Sequence, residues 1–173
     1  MATRLYLLRH GEAESGGGVP DLERPLTATG ADSAALAAAT LARLGLRFEK
    51  GLTSPAVRAV QTAEIFWRAL GTGELQHEAT LSPGVEPESV EALLRSLTID
   101  TPRHCRFLVV GHMPDLGLLL RHLTEGRVSA AVSFVPGGMA RLDFAEAVRA
   151  KAGKLIWSLR PAELVALADA NRV

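Results

Sequence analysis

The 173-residue chain holds one cysteine, Cys105, so it has no internal disulfide, which fits a reducing, cytoplasmic compartment. It also lacks any excess of charge, with nineteen basic and nineteen acidic residues. No basic surplus points to nucleic acid, and no block of like charge suggests an interaction tail. No stretch approaches the ~18 apolar residues of a membrane span. A secretory leader is not expected either, because the first apolar run is short and Arg9 and Glu12 interrupt it. There is no internal repeat, and Gly16-Gly17-Gly18 is the one low-complexity patch, read as a surface loop. No Cys/His/Asp cluster has metal-ligand spacing. His77, His104 and His122 stand apart from any such partner, so no metal and no other cofactor are expected.

Hydrophobic residues make up 47% of the chain, normal for a globular protein. A chain of ~150 residues already buries about two-thirds of its unfolded surface, so residues 1–173 are expected to form a single domain with a good core. Cys105 adjoins a predicted buried strand, which favours packing over thiol chemistry.

Three strand ends carry the polar chemistry. Leu5-Tyr6-Leu7-Leu8 is an apolar run that stops at Arg9-His10-Gly11, and the glycine permits a sharp turn and close approach to a ligand. Gly51-Leu52-Thr53 reads as a short strand closed by Ser54-Pro55, with Arg58 just beyond. Phe107-Leu108-Val109-Val110 is a buried, parallel-type strand that stops at Gly111-His112. Open α/β sheets bind ligands outside the carboxyl ends of their strands. Arg9, His10, Arg58 and His112 can therefore face one anion, provided that the three strands are neighbours.

The rest of the chain alternates strands and helices, which predicts an α/β fold: a three-layer α/β/α sandwich around a mainly parallel sheet. Thr27 or Thr29 is placed to cap a helix over about 30–44, with Ala37, Leu41 and Leu44 as its apolar stripe. Ser54 is read as the cap of the next helix, with Pro55 at its first position. Val60, Ala63, Trp67 and Leu70 are its predicted buried face, which turns Arg58 towards the strand ends. Gly71-Thr72-Gly73 should end that helix before a short strand at Leu75–His77. A helix over about 86–97 follows, and after the strand at 107–110 another begins at Pro114. Ser133–Val135 and Met139–Phe144 flank the turn sequence Pro136-Gly137-Gly138. Lys154–Leu159 reads as a last strand, and Pro161 opens a terminal helix.

A phosphoryl group brings about two negative charges. Arginine suits the clamp because its guanidinium is permanently charged and donates two parallel hydrogen bonds. A neutral imidazole keeps one lone pair and can attack phosphorus. His112 lies just before a predicted helix N-terminus, which also favours an anion. Position alone does not decide which histidine attacks.

The motif elements Arg9-His10-Gly11, Ser54-Pro55 with Arg58 and Gln61-Thr62-Ala63, and Gly111-His112 resemble those of the histidine phosphatase superfamily, which also contains the cofactor-dependent phosphoglycerate mutases. The resemblance spans roughly residues 4–160 in the family's order. It implies that His10 is the nucleophile and that Arg9, Gly11, Arg58 and His112 form the phosphate pocket. Arg24, in Arg24-Pro25-Leu26-Thr27, resembles an arginine that lines the site in the small SixA-type branch. Gln61 and Thr62 are expected to support the helix and the Arg58 side chain. Members that act on phosphate esters usually carry a carboxylate after the third strand. Here the expected position is Thr80, and Glu78, two residues away, is the candidate general acid.

The resemblance thus implies a metal-independent phosphatase working through a phosphohistidine at His10. The short chain and the displaced carboxylate favour phosphohistidine on a signalling protein, such as a phosphotransfer domain, as substrate. A phosphatase or mutase acting on a small phosphorylated metabolite is the neighbouring alternative. A non-catalytic phosphate-binding module is the alternative outside enzymology, although a binding module needs no nucleophile. Neither nucleic acid nor a membrane is an expected partner.

Overall fold

Side chains alternate across a strand, and along β1 (Thr3–Arg9) the two sets of apolar residues enter two different cores. In the computed structural model, which describes residues 3–99, 105–124 and 133–170, six strands form one sheet in the order β3-β2-β4-β1-β5-β6. The other strands are β2 (Phe48–Thr53), β3 (Gly71–His77), β4 (Arg106–Gly111), β5 (Met139–Phe144) and β6 (Lys154–Leu159). β3, β2, β4 and β1 run parallel to one another, and β5 runs antiparallel to both β1 and β6.

Helices cover both faces, as the alternation predicts. Leu5 and Leu7, with Phe107 and Val109 of β4, pack against α3 (Pro87–Thr98) and α4 (Asp115–Leu123). Tyr6 and Leu8, with Leu108 and Val110, pack against α1 (Ala28–Arg43), α2 (Val57–Leu70) and α5 (Pro161–Ala170). Each such fully buried side chain contributes about 1.5–3 kcal/mol relative to exposure. Cys105 is buried in the first of these cores as a free thiol. The motif residues therefore sit on a rigid frame.

Several local expectations are corrected. α1 starts at Ala28 with Thr27 as its cap, whose hydroxyl accepts from the Gly30 N–H at 2.9 Å. α2 starts at Val57, so Ser54 is not its cap and Pro55 lies outside it. Its buried face is Arg58, Ala59, Thr62, Ala63, Phe66 and Leu70, while Val60 and Trp67 are half-buried. Phe66 takes the place expected for Trp67, whose ring instead lies against the backbone at Gly51 and Gly71. Gly71-Thr72-Gly73 ends α2, with Gly71 as its cap, but it also forms the first half of β3, which starts before the expected Leu75. A β-carbon on Gly71 would overlap the Trp67 ring, and one on Gly73 the Glu49 carbonyl. These glycines serve close packing rather than a turn. Residues 133–135 have no regular structure, though Phe134 is buried. His104 lies outside the described residues.

One crossing ties the end of β1 to the start of α1. Gly30 faces the backbone of Glu12 so closely that any β-carbon would collide with the Glu12 carbonyl oxygen. Gly30→Ala is expected to cost about 1–3 kcal/mol through overpacking. Urea unfolding, with the midpoint lowered and the slope unchanged, is the check.

Candidate active site

The register of three adjacent strands decides where the polar residues meet. β4 lies between β1 and β2, with Arg9 opposite Gly111 and Thr53 opposite Val110. The ladder continues past the strand ends: His10 N–H donates to Gly111 O at 3.1 Å, and Ser54 N–H to Val110 O at 3.0 Å. Three carboxyl ends therefore finish at one level. His10 and His112 project there with ring centroids 5.1 Å apart.

Arg58 reaches both imidazoles from the first turn of α2. Its Nε–H donates to His10 Nε2 at 3.2 Å, and Nη2 lies 3.4 Å from His112 Nδ1. His10 Nδ1 is 2.7 Å from its neighbour's carbonyl, Gly11 O. A carbonyl only accepts, so Nδ1 carries the proton and the lone pair belongs to Nε2. A guanidinium only donates, so the same reasoning leaves His112 Nδ1 unprotonated. The His112 Nε2–H then donates to Ser54 Oγ at 2.8 Å.

Burial disfavours the charged form of both rings. It pushes His10 down to about 4, with the Gly11 carbonyl partly opposing the shift and Arg58, Arg9 and Arg24 reinforcing it. His112 is pushed to about 3 by burial, then by His10 and Arg58. Both imidazoles are neutral at pH 7.

Arg9 is also brought here. Its Nη1 donates to Phe134 O at 2.7 Å, while its buried Nε has no acceptor among the described residues. Arg24 stands at the mouth, with Nε on Glu14 O at 2.7 Å and Nη1 on Asp21 Oδ1 at 2.9 Å. Gly11 N–H donates to Thr62 Oγ1 at 3.0 Å, and that hydroxyl donates to Arg58 O at 2.7 Å. Gln61 Oε1 accepts from Leu26 N at 2.8 Å and holds the loop that carries Arg24.

Glu78 is half-buried just past β3, its N–H on Thr53 O at 2.8 Å. Among the described residues, no side-chain hydrogen bond or ion pair joins it to His10, His112 or the arginines. His77 is exposed at the end of β3, and His122 Nε2 lies 2.7 Å from Glu91 Oε2 on α3. No group of three or more His, Cys, Asp or Glu suited to a metal occurs among the described residues. No helix among them is long and apolar enough to cross a membrane.

Two residues of the site escape a reading of the sequence. Ser54 looks like a helix cap there but instead orients His112. Asp21 carries no motif signal beyond an i,i+3 spacing to Arg24. Its carboxylate sits on both Arg24 and Arg58.

Known proteins resemble this chain in sequence and fold. The sequence profile of the histidine phosphatase superfamily (branch 1) matches residues 5–82. An uncharacterised protein of Picosynechococcus sp. is 36% identical over 141 residues, 80% of this chain and 83% of its own length. Phosphohistidine phosphatase SixA of Escherichia coli is 29% identical over 165 residues, 93% of this chain and 96% of SixA. The solved structure of the protein histidine phosphatase SixA complexed with tungstate superposes with a TM-score of 0.81 at 27% identity, covering 93% of this chain and 99% of that one. The chain belongs to the histidine phosphatase superfamily, in its SixA-type branch, and with it to the phosphatase hydrolases.

The two depressed histidines make stability depend on pH. In the unfolded chain they titrate near 6.5, so below that pH the unfolded state binds protons that the folded state refuses. Stability is full above pH 6.5 and is lost as pH falls towards about 4 for His10 and about 3 for His112. Calorimetric Tm values between pH 7.5 and 4 should fall. His10→Ala, which removes one of the two proton uptakes, should flatten the slope.

Proposed function

We propose that the protein hydrolyses phosphohistidine on a signalling protein, through a phosphohistidine formed on its own His10 and without a metal. The observation that carries this reading is the Gly11 carbonyl on His10 Nδ1, which directs the lone pair of Nε2 towards the arginine cluster. In the first step Nε2 bonds to phosphorus and the bond to the substrate nitrogen breaks; the substrate ring, protonated from solvent on its other nitrogen, takes the electron pair and leaves as neutral imidazole. In the second, water attacks the same phosphorus, His10 leaves with its electron pair, and orthophosphate departs.

Arg9, Arg24 and Arg58 hold the phosphoryl oxygens and stabilise the charge of the transition state. An oxygen that takes the Arg58 donors also frees Nε2 for attack. His112 is neutral before substrate arrives, and a bound dianion favours its imidazolium, so it becomes a donor when one is needed. Gly11 lets the backbone follow the phosphate closely, supported from behind by Thr62.

Two considerations support phosphohistidine as substrate. Glu78, the candidate general acid, makes no bond to the site residues, and a labile phosphorus–nitrogen bond is less dependent on acid catalysis, which supplies ~10²–10⁴ where it acts. The relative aligned over 93% of this chain is a phosphohistidine phosphatase.

Brief exposure to labelled substrate should leave acid-labile, alkali-stable label that is absent in His10→Ala. Label on another residue, or full activity of that variant, would exclude the mechanism. Arg9→Ala and Arg58→Ala should each lower kcat by roughly 10²–10³, with poor rescue by Lys. EDTA should leave the rate unchanged. A phosphohistidine phosphotransfer domain should show a higher kcat/KM than small alkyl phosphates, with Glu78→Gln nearly silent. A sugar phosphate or phosphoglycerate turned over faster, and lost in Glu78→Gln, would instead identify a metabolite enzyme with Glu78 as its acid.

A further inference from the structure

Arg58 has five N–H donors, and in this structure a single residue holds its outer edge. Nη2 donates to Asp21 Oδ2 at 2.8 Å, and Nη1 donates to the Asp21 main-chain oxygen. The second carboxylate oxygen, Oδ1, accepts from Arg24 Nη1 at 2.9 Å. Asp21 thus bridges two arginines as a bound oxyanion would, filling the parallel donor pair that a phosphoryl group needs.

The segment that carries Asp21 is built to let go. The short 3-10 turn Asp21–Glu23 buries none of its residues; Leu22 within it and Val19 before it are exposed. Its internal backbone bonds are local: Val19 to Gly16, Glu23 to Pro20 and Arg24 to Asp21. The Asp21 side chain is itself 57% exposed, whereas that of Arg58 is only 6% exposed. The ends of the loop are held independently, by Glu14 N–H on Pro25 O and by the bridge between Ala13 and Leu26. Releasing Asp21 therefore costs no apolar burial, and the released carboxylate stays tethered at the mouth.

We propose that Asp21 is a specificity-determining residue: an internal anion that the substrate phosphoryl displaces, and whose charge then penalises any substrate with a second negative group beside its phosphate. The proposal rests on the phosphatase reading above. It adds a reason why a phosphorylated imidazole, uncharged away from its phosphoryl group, is preferred to a phosphorylated carboxylic acid. Opposite charges attract and like charges repel at these short ranges, even where exposed pairs are weak.

The test compares wild type with Asp21→Asn and Asp21→Ala in two measurements. Calorimetry with inorganic phosphate should show about fivefold tighter binding in both variants. The kcat/KM ratio of phenyl phosphate to 2-carboxyphenyl phosphate should fall by about the same factor. Phosphate binding unchanged or weakened, or an unchanged ratio, overturns the proposal while aryl phosphate turnover leaves the phosphatase reading standing; weaker binding would make Asp21 a prop for Arg58. If none of the three proteins binds phosphate or turns over phenyl phosphate, both fall together.

Discussion

Everything in the site depends on one register: three parallel strands, β2, β4 and β1, adjacent and ending level. The site residues of each come at its carboxyl end: Arg9 and His10 after Leu5–Leu8, Ser54 after β2 and His112 after β4. A slip of one residue between β1 and β4 would turn every side chain to the other face. His10 and His112 would then lie on opposite sides of the sheet. The pairing that buries Leu5, Leu7, Phe107 and Val109 on one face and Tyr6, Leu8, Leu108 and Val110 on the other forbids that slip. Hydrophobic packing thereby sets the geometry of the site.

The electrostatics follow from that placement. Burying a guanidinium is costly unless its donors are satisfied. Arg58, 5% exposed, meets the condition with two imidazole nitrogens and Asp21. The same crowding keeps both histidines neutral. A site assembled from permanent cations and neutral rings attracts an anion while retaining a nucleophilic lone pair at physiological pH. A second carboxylate placed as a fixed partner of Arg58 would satisfy the arginine but weaken its hold on phosphate. Among the described residues, the carboxylate that pairs with Arg58 is that of Asp21, which is exposed and lies on a short 3-10 turn.

Much of this was legible in the chain because the signals were local. Apolar runs that end in glycine marked β1 and β4, Thr27 marked the start of α1, and helical spacing marked α3 and α4. The order of Arg9-His10-Gly11, Arg58 and Gly111-His112 identified the family. What was not legible depended on partners distant in sequence. Ser54-Pro55 has the local chemistry of a helix start, yet the Ser54 hydroxyl is drawn away by His112. Gly71-Thr72-Gly73 ends α2 as its composition suggests, but it also opens β3, where Trp67 and Glu49 press against the backbone of the two glycines. Phe66 and Trp67 are adjacent, and helical spacing assigns the core position to Trp67, whereas Phe66 fills it. Asp21 sits in a Gly-rich approach with no periodicity, so nothing local pointed to Arg58.

The separation of Glu78 from the bonded network bears on the substrate class in a way that position alone does not. A site of this kind supplies three things: cations for the oxygens, a lone pair for phosphorus and a rigid floor. The Arg58 hydrogen bond holds Asp21 below the usual carboxylate range, so that carboxylate has no proton to give a leaving group. An alkoxide expelled here would need its proton from solvent at the moment of bond breaking. An imidazole does not once its other ring nitrogen is protonated, because it then leaves as a neutral ring. On this reading the acid that esters require and the carboxylate that a phosphoramidate tolerates are alternative uses of the same mouth. The position of Asp21 on Arg24 and Arg58, rather than at the leaving group, separates them.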